Sequence, residues 1–295
     1  MQGSRQGWEI SMVTALAVTV ACGGNPEDAP TQTKSTVMDE PAAFALPPSE
    51  ETAAERLNSS PRHGEWVDIT LPGSEVPTSA WVVYPEREGP APIVLVIHEI
   101  FGLTDWVRGV ADQFAADGFI AVAPDLLSGL GPDGGGTHSL GARDNVVATI
   151  RSLEPGERTR RLDAVRTYAL SILSGNGKLG TVGFCWGGGA SFNYAIDQPA
   201  LDAAVVYYGS SPTDARPYAN VNAPVLGLYG GNDERVNATI PDAEAGMTGK
   251  SFEVIVYDGA GHGFLRAQER REGANLAASE LAWPRTVEFF REHLK

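Results

Sequence analysis

Residues 93–98 (IVLVIH) constrain this chain more than any other segment, because five aliphatic side chains in succession leave neither face of a strand suited to water. A strand with one solvated face alternates, whereas a run apolar on both faces belongs to a sheet covered by helices on two sides. Residues 119–123, 179–184, 203–208, 224–229 and 252–257 are predicted strands as well. Between them stand segments with helical spacing, such as 105–116, where Trp106, Val110 and Phe114 fall four apart. Further helices are predicted over 140–153, 157–173, 189–196 and 284–293. An antiparallel pair over 66–71 and 80–84 precedes the series. This alternation predicts an α/β fold, a mostly parallel doubly wound sheet with helices on both faces. Ligands bind such sheets at the carboxyl ends of the strands, so chemistry should follow directly after the apolar runs.

The first 60 residues obey a different logic. Residues 10–21 (ISMVTALAVTVA) are mostly apolar and stand behind Arg5. Twelve residues are too few to cross a bilayer and suit the apolar region of a signal peptide. Ala21 then precedes Cys22, Gly23, Gly24 and Asn25, which resembles a bacterial lipoprotein signal whose cysteine is lipidated after cleavage. The resemblance implies a signal peptide over 1–22, lipidation at Cys22 and a membrane-anchored place in the cell envelope. A plain secretory signal, giving a secreted or periplasmic protein, or an uncleaved N-terminus are the alternatives. Residues 23–60 carry five prolines and seven acids against Lys34 and Arg56, a charge of −5. Such a composition buries too little surface to offset chain entropy, so 23–60 is expected to be a disordered acidic tether. That leaves 61–295 as a single folded domain.

Three candidates stand where the sheet rule puts them. Cys185 follows the apolar run 179–184 inside Gly183-Phe184-Cys185-Trp186-Gly187-Gly188. A nucleophile on a strained strand-to-helix turn needs small neighbours two positions to either side, and Gly183 and Gly187 meet that need. The helix that opens there aims free N–H groups at the sulfur, and the N–H of Trp186 is placed to hold an oxyanion. Asp233 follows 224–229 and could fix the tautomer of an imidazole. His262 lies in a glycine-rich loop after 252–257. The order nucleophile, acid, histidine, with separations of 48 and 29 residues, is that of the α/β-hydrolase fold. Cysteine, histidine and aspartate so ordered perform acyl transfer through a thioester.

From His98-Glu99-Ile100-Phe101-Gly102, Pro124-Asp125-Leu126, the cysteine elbow, Asp233 and His262-Gly263-Phe264-Leu265-Arg266, the region 65–295 resembles the dienelactone hydrolase family, the carboxymethylenebutenolidases. The resemblance implies a small ester or lactone as substrate and a catalytic triad of Cys185, Asp233 and His262. It gives Glu99 the resting thiol as partner and then the thiol's proton, and it gives the oxyanion to the N–H groups of Ile100 and Trp186. It also implies two arginines on a substrate carboxylate, matched here by Arg143 and Arg266. His98 replaces a more usual Gln. Val147 and Ile150 stand where degradative members of the family carry aromatics, and a glycine-rich loop over 128–140 is expected to border the pocket.

The net charge of −15 repels phosphate backbones and argues against nucleic-acid partners. It would repel an anionic substrate too, unless arginines converge locally. Two cysteines make neither a disulfide framework nor a zinc site, and no phosphate-binding fingerprint occurs, so no metal and no cofactor is expected. His63, His138 and His293 read as surface residues. The expected protein is a monomer whose partner is a small ester or lactone and which meets a membrane only through a lipid on Cys22. A general carboxylesterase or thioesterase of the envelope is the alternative, and a non-catalytic binding lipoprotein another.

Overall fold

The computed structural model describes residues 45–212 and 217–295. The expected signal peptide, Cys22 and most of the expected tether lie outside the described residues. The strands are β1 (Gly64–Ile69), β2 (Thr78–Val83), β3 (Ala91–Ile97), β4 (Ile120–Pro124), β5 (Gly175–Phe184), β6 (Ala203–Tyr207), β7 (Val225–Gly230) and β8 (Phe252–Tyr257). The helices are α1 (Ala53–Asn58), α2 (Asp105–Ala116), α3 (Arg143–Ser152), α4 (Pro155–Leu170), α5 (Trp186–Asp197), α6 (Glu234–Asn237), α7 (Ile240–Gly246) and α8 (Ala274–His293). The strands form one sheet in the order β1-β2-β4-β3-β5-β6-β7-β8, antiparallel at β2 and parallel from β4 onward. This is the α/β-hydrolase architecture.

Alternation inside β3 shows why the sequence runs apolar without a break. Val94 and Val96 enter one core with Trp106, Val110 and Phe114 of α2 and Trp283, Val287 and Phe290 of α8. Ile93, Leu95 and Ile97 enter a second core with Leu162 and Val165 of α4 and Phe192 and Tyr194 of α5. Both faces are dry, so each inward methylene contributes about 0.8 kcal/mol on either side.

Two expectations need correction. The folded part begins well before residue 61. Ser49 and Ala53 are buried, the Pro48 carbonyl accepts the indole N–H of Trp106 at 2.9 Å, and Arg56 donates to Gln113 on α2. A proline-rich stretch can thus pack on a ready-made apolar face without any periodicity of its own. The last helix starts at Ala274 rather than Pro284, which sits inside it. Burial of Ala278, Ala282, Trp283 and Val287 against the sheet outweighs the one backbone hydrogen bond that proline removes.

Candidate active site

Because β3, β5, β6, β7 and β8 are parallel, their carboxyl ends share one edge of the sheet. The segments that leave them carry Glu99, Cys185, Tyr208, Asp233 and His262. The separations along the chain, which look arbitrary, become a single neighbourhood.

Cys185 sits at φ 56°, ψ −116°, a left-handed conformation that side-chain-bearing residues seldom adopt. Its N–H donates to the Tyr207 carbonyl at 3.0 Å, and its carbonyl accepts the N–H of Gly189 at 3.2 Å. A methyl group on Gly183 would strike the Gly187 carbonyl, and one on Gly187 would strike the carbonyls of Ile97 and His98. The elbow is therefore pressed against the end of β3. Ile100 and Trp186 consequently line the same cleft as Cys185, a cleft of about 800 Å³.

His262 hydrogen-bonds through Nδ1 to Oδ2 of Asp233 at 2.6 Å, which leaves Nε2 for the sulfur. Burial works against protonation of this imidazole. Asp233 and the Cys185 sulfur outweigh it, and the His262 pKa is pushed up to about 9. Asp233 itself is 7% exposed and precedes α6. Its loop is tied to that of His262 by the N–H of Asn232, which donates to the Ala260 carbonyl at 2.9 Å. A methyl on Gly230 would lie 2.7 Å from the carbonyls of Ala260 and Gly261, so glycine alone permits this approach.

Glu99 is 3% exposed, and the resemblance assigns it to the resting thiol. Its ion-pair partner in the structure is Arg266: Oε2 stands 2.7 Å from Nε, close enough for charge pairing but not aligned as a hydrogen bond. Burial raises the Glu99 pKa above the ordinary carboxylate value, and Arg266 and His262 pull it back without cancelling the rise. Arg266 also pairs with Glu50 from the segment before α1.

The expected carboxylate clamp takes a different form. Arg143 and Arg266 both approach the Phe101 ring, with guanidinium carbons 3.5 and 5.4 Å from its centroid. Arg266, however, already answers two carboxylates. Arg143 lines a separate cleft with Glu50, Asp105, Thr137 and His138, and Cys185 is not in its wall. The glycine-rich loop borders that second cleft. Asp125 pins it, accepting the Thr137 N–H at 2.7 Å and the Thr137 hydroxyl at 2.7 Å.

Two residues of the site acquire a role only in the structure, His98, which the sequence marks only as an exchange for Gln, and Tyr208, which it does not mark at all. His98 is fully buried, its Nδ1–H donating to the Glu99 carbonyl at 2.8 Å and its Nε2 accepting the N–H of Leu126 at 3.3 Å. Its ring stacks on Trp186 with centroids 5.6 Å apart, so one side chain steadies both the Glu99–Ile100 peptide and Trp186. Tyr208, at φ 38°, meets His262 edge to face at 5.3 Å, and its buried hydroxyl has no hydrogen-bond partner among the described residues. Nothing in the spacing marks these two. The position of Tyr208 at the carboxyl end of the apolar run 203–208 was the available signal.

An eight-stranded, mostly parallel sheet with a cysteine elbow, an Asp–His pair and a cleft at the strand ends defines a member of the α/β-hydrolase class. Comparison with known proteins narrows the class. The model of the dienelactone hydrolase family matches residues 78–294. A protein of Escherichia coli K12, provisionally named a carboxymethylenebutenolidase, is 32% identical over 221 residues, covering 70% of this chain and 79% of its own. A relative from Saccharolobus solfataricus with the same provisional name is 29% identical and covers 69% and 90%. The crystal structure of a Klebsiella pneumoniae protein, provisionally named a dienelactone hydrolase, superposes with TM-score 0.67 at 27% identity, over 78% of this chain and 98% of that one. The chain belongs to the dienelactone hydrolase family, whose members are carboxylic ester hydrolases.

Proposed function

We propose that this protein hydrolyses a small ester or lactone with Cys185 as nucleophile, His262 as proton carrier and Asp233 as the group that orients His262. The observation that carries the reading is the strained elbow at Cys185 beside an imidazole that Asp233 holds in the required tautomer. The sulfur of Cys185 attacks the acyl carbon, and the carbonyl oxygen gathers the charge. The N–H groups of Ile100 and Trp186 stabilise that oxygen. His262, protonated at neutral pH by its raised pKa, gives its proton to the departing alkoxide as the C–O bond breaks, which leaves a thioester. Water then loses a proton to His262 and attacks the thioester. The acid departs, and the Cys185–His262 pair is restored. Glu99, buried and with a raised pKa, is suited to exchange a proton with the thiol between cycles.

Carbamidomethylation of Cys185 by iodoacetamide, or Cys185→Ala, should abolish hydrolysis of 4-nitrophenyl acetate and of dienelactone. Unchanged turnover would end the proposal. Asp233→Asn should lower kcat by about 10²–10⁴-fold through the wrong imidazole tautomer. A binding lipoprotein without catalysis is the weaker reading, since a binder has no use for a strained elbow.

The cell envelope is the proposed location, with a signal peptide over 1–22, a lipid on Cys22 and the enzyme a monomer. The small-residue-then-cysteine pattern after an apolar run supports it. Mass spectrometry of the mature N-terminus decides the anchor, because an unprocessed Met1 excludes it. Light scattering of the detergent-free domain decides the monomer.

A further inference from the structure

Three successive carbonyls of the segment before α1 are each taken by a different side chain. Leu46 accepts from Arg56 at 2.7 Å, Pro47 from Gln268 at 3.1 Å and Pro48 from Trp106 at 2.9 Å. The N–H of Glu50 then donates to the Arg266 carbonyl at 2.8 Å. A methyl on Gly109 of α2 would lie 2.6 Å from the Pro48 ring, so the segment is laid directly on that helix. This strap stands outside residues 78–294, the span that the family model matches. It nevertheless sets the Glu50 carboxylate on the guanidinium of Arg266, four residues after His262.

Arg266 is therefore held between two carboxylates, Glu50 on the strap and Glu99 after β3. A guanidinium presents its donors in a rigid fork, so a bond made at Nη1 fixes where the Nε–H points. With Glu50 on Nη1, Nε lies 2.7 Å from Oε2 of Glu99 and yet is not aligned to donate to it. Glu99 thus feels the charge of Arg266 without the paired hydrogen bonds that lock a carboxylate on an arginine. His262 and Tyr208 face Glu99 as well, and Cys185 stands beside both. The charge of Glu50 acts on Glu99 too, opposing the pull of Arg266 and His262.

We infer that Glu50 is a positioning residue of the active site: by holding Arg266 turned toward the strap, it leaves Glu99 able to take the Cys185 proton and return it. The proton passes from the sulfur to a carboxylate oxygen, which leaves a thiolate and a neutral carboxyl, and the reverse transfer restores both. The inference rests on the proposed hydrolase reading for the use of that proton, but not for the coupling of the three side chains. Without the Glu50 charge, Arg266 turns two donors of its fork to Glu99 and keeps it a carboxylate to lower pH.

Glu50→Gln in the full-length protein removes the charge and keeps the N–H that binds the Arg266 carbonyl. Two titrations read the result. One is the acid limb of kcat/KM for 4-nitrophenyl acetate. The other is the Glu99 carboxyl itself, followed by infrared difference spectroscopy with Glu99→Gln as the blank, which needs no substrate. Both midpoints should move down by about half a pH unit, the size suited to a charge that water partly screens. Added salt should carry the wild type toward the variant and leave the variant nearly unchanged. Glu50→Asp keeps the charge and should hold both midpoints near those of the wild type. A loss of stability with both midpoints unmoved makes the strap merely structural, which overturns the inference and leaves the hydrolase. An infrared shift without a shift of the limb overturns it too, because Glu99 then titrates apart from the reaction. An infrared shift in a protein that hydrolyses neither 4-nitrophenyl acetate nor dienelactone keeps the coupling of Glu50, Arg266 and Glu99 and removes the hydrolase reading.

Discussion

Nε of Arg266 stands 2.7 Å from Oε2 of Glu99, and the same guanidinium reaches forward to Glu50, more than two hundred residues away in sequence. The buried carboxylate next to the cleft is thereby linked to the segment that precedes α1. The two carboxylates differ in exposure, 3% for Glu99 and 46% for Glu50, and that difference sets what each is worth.

Glu50→Ala should lower stability by less than about 1 kcal/mol, since a pair with one exposed partner is screened by water. Glu99→Ala should cost more, roughly 1–3 kcal/mol for a buried group stripped of one partner. It should stay below the 3–5 kcal/mol typical when the last partner goes, because Glu50 still answers Arg266. Urea unfolding of the two variants measures both, and equal losses would contradict the assignment.

The raised pKa of His262 ties folding to pH. Its folded value of about 9 lies above the ordinary 6.5, so the folded state holds a proton that the unfolded chain has released. That contribution is complete below pH 6.5 and disappears as pH rises through 9. The Tm advantage of the wild type over His262→Gln should therefore shrink steadily across this window, and an advantage that grows with pH would refute it.

His98 titrates in the opposite direction. Burial lowers its pKa despite the nearby Asp125 carboxylate, and its neutral Nε2 accepts the Leu126 N–H. Protonation destroys that acceptor, so stability should fall as pH drops below 6.5, and the fall should be smaller in His98→Gln. Gln also offers an N–H donor and an oxygen acceptor and should retain activity. His98→Leu leaves the Leu126 N–H unpaired, at about 1–3 kcal/mol, while the Glu99 carbonyl keeps the Gly102 N–H, and it should reduce kcat because Ile100 and Trp186 lose their common support.

Gly187→Ala should be worse than any of these. The added methyl meets the backbone carbonyls of Ile97 and His98, which cannot rotate aside as a side chain could. A loss of at least about 3 kcal/mol, at the upper end of overpacking, is expected in urea unfolding, with activity lost in whatever protein still folds.

Much of this was legible in the sequence. The helix over 105–116 and the strand over 252–257 appear with the predicted bounds, because strong periodicity and burial on the sheet agree there. Cys185, Asp233 and His262 could be placed because strand ends in a parallel sheet share an edge. The start of α8 was hidden, since Pro284 signals a helix start locally and only the apolar contacts of Trp283 and Ala278 override it. The packing of residues 45–60 was hidden for a similar reason. Pro48 gains its place from the indole of Trp106, a partner 58 residues on.

The sequence by itself determined the class of fold, the elbow and the order of Cys185, Asp233 and His262 after successive strands, because each depends on local conformation or on periodicity along one strand. Tertiary structure alone decided which charges meet. It took Arg266 for Glu99 and Glu50, set Arg143 in another cleft, and left Arg151, Arg158 and Arg235 around Cys185. Charge pairing falls off over a few ångströms, and only the folded chain sets distances on that scale.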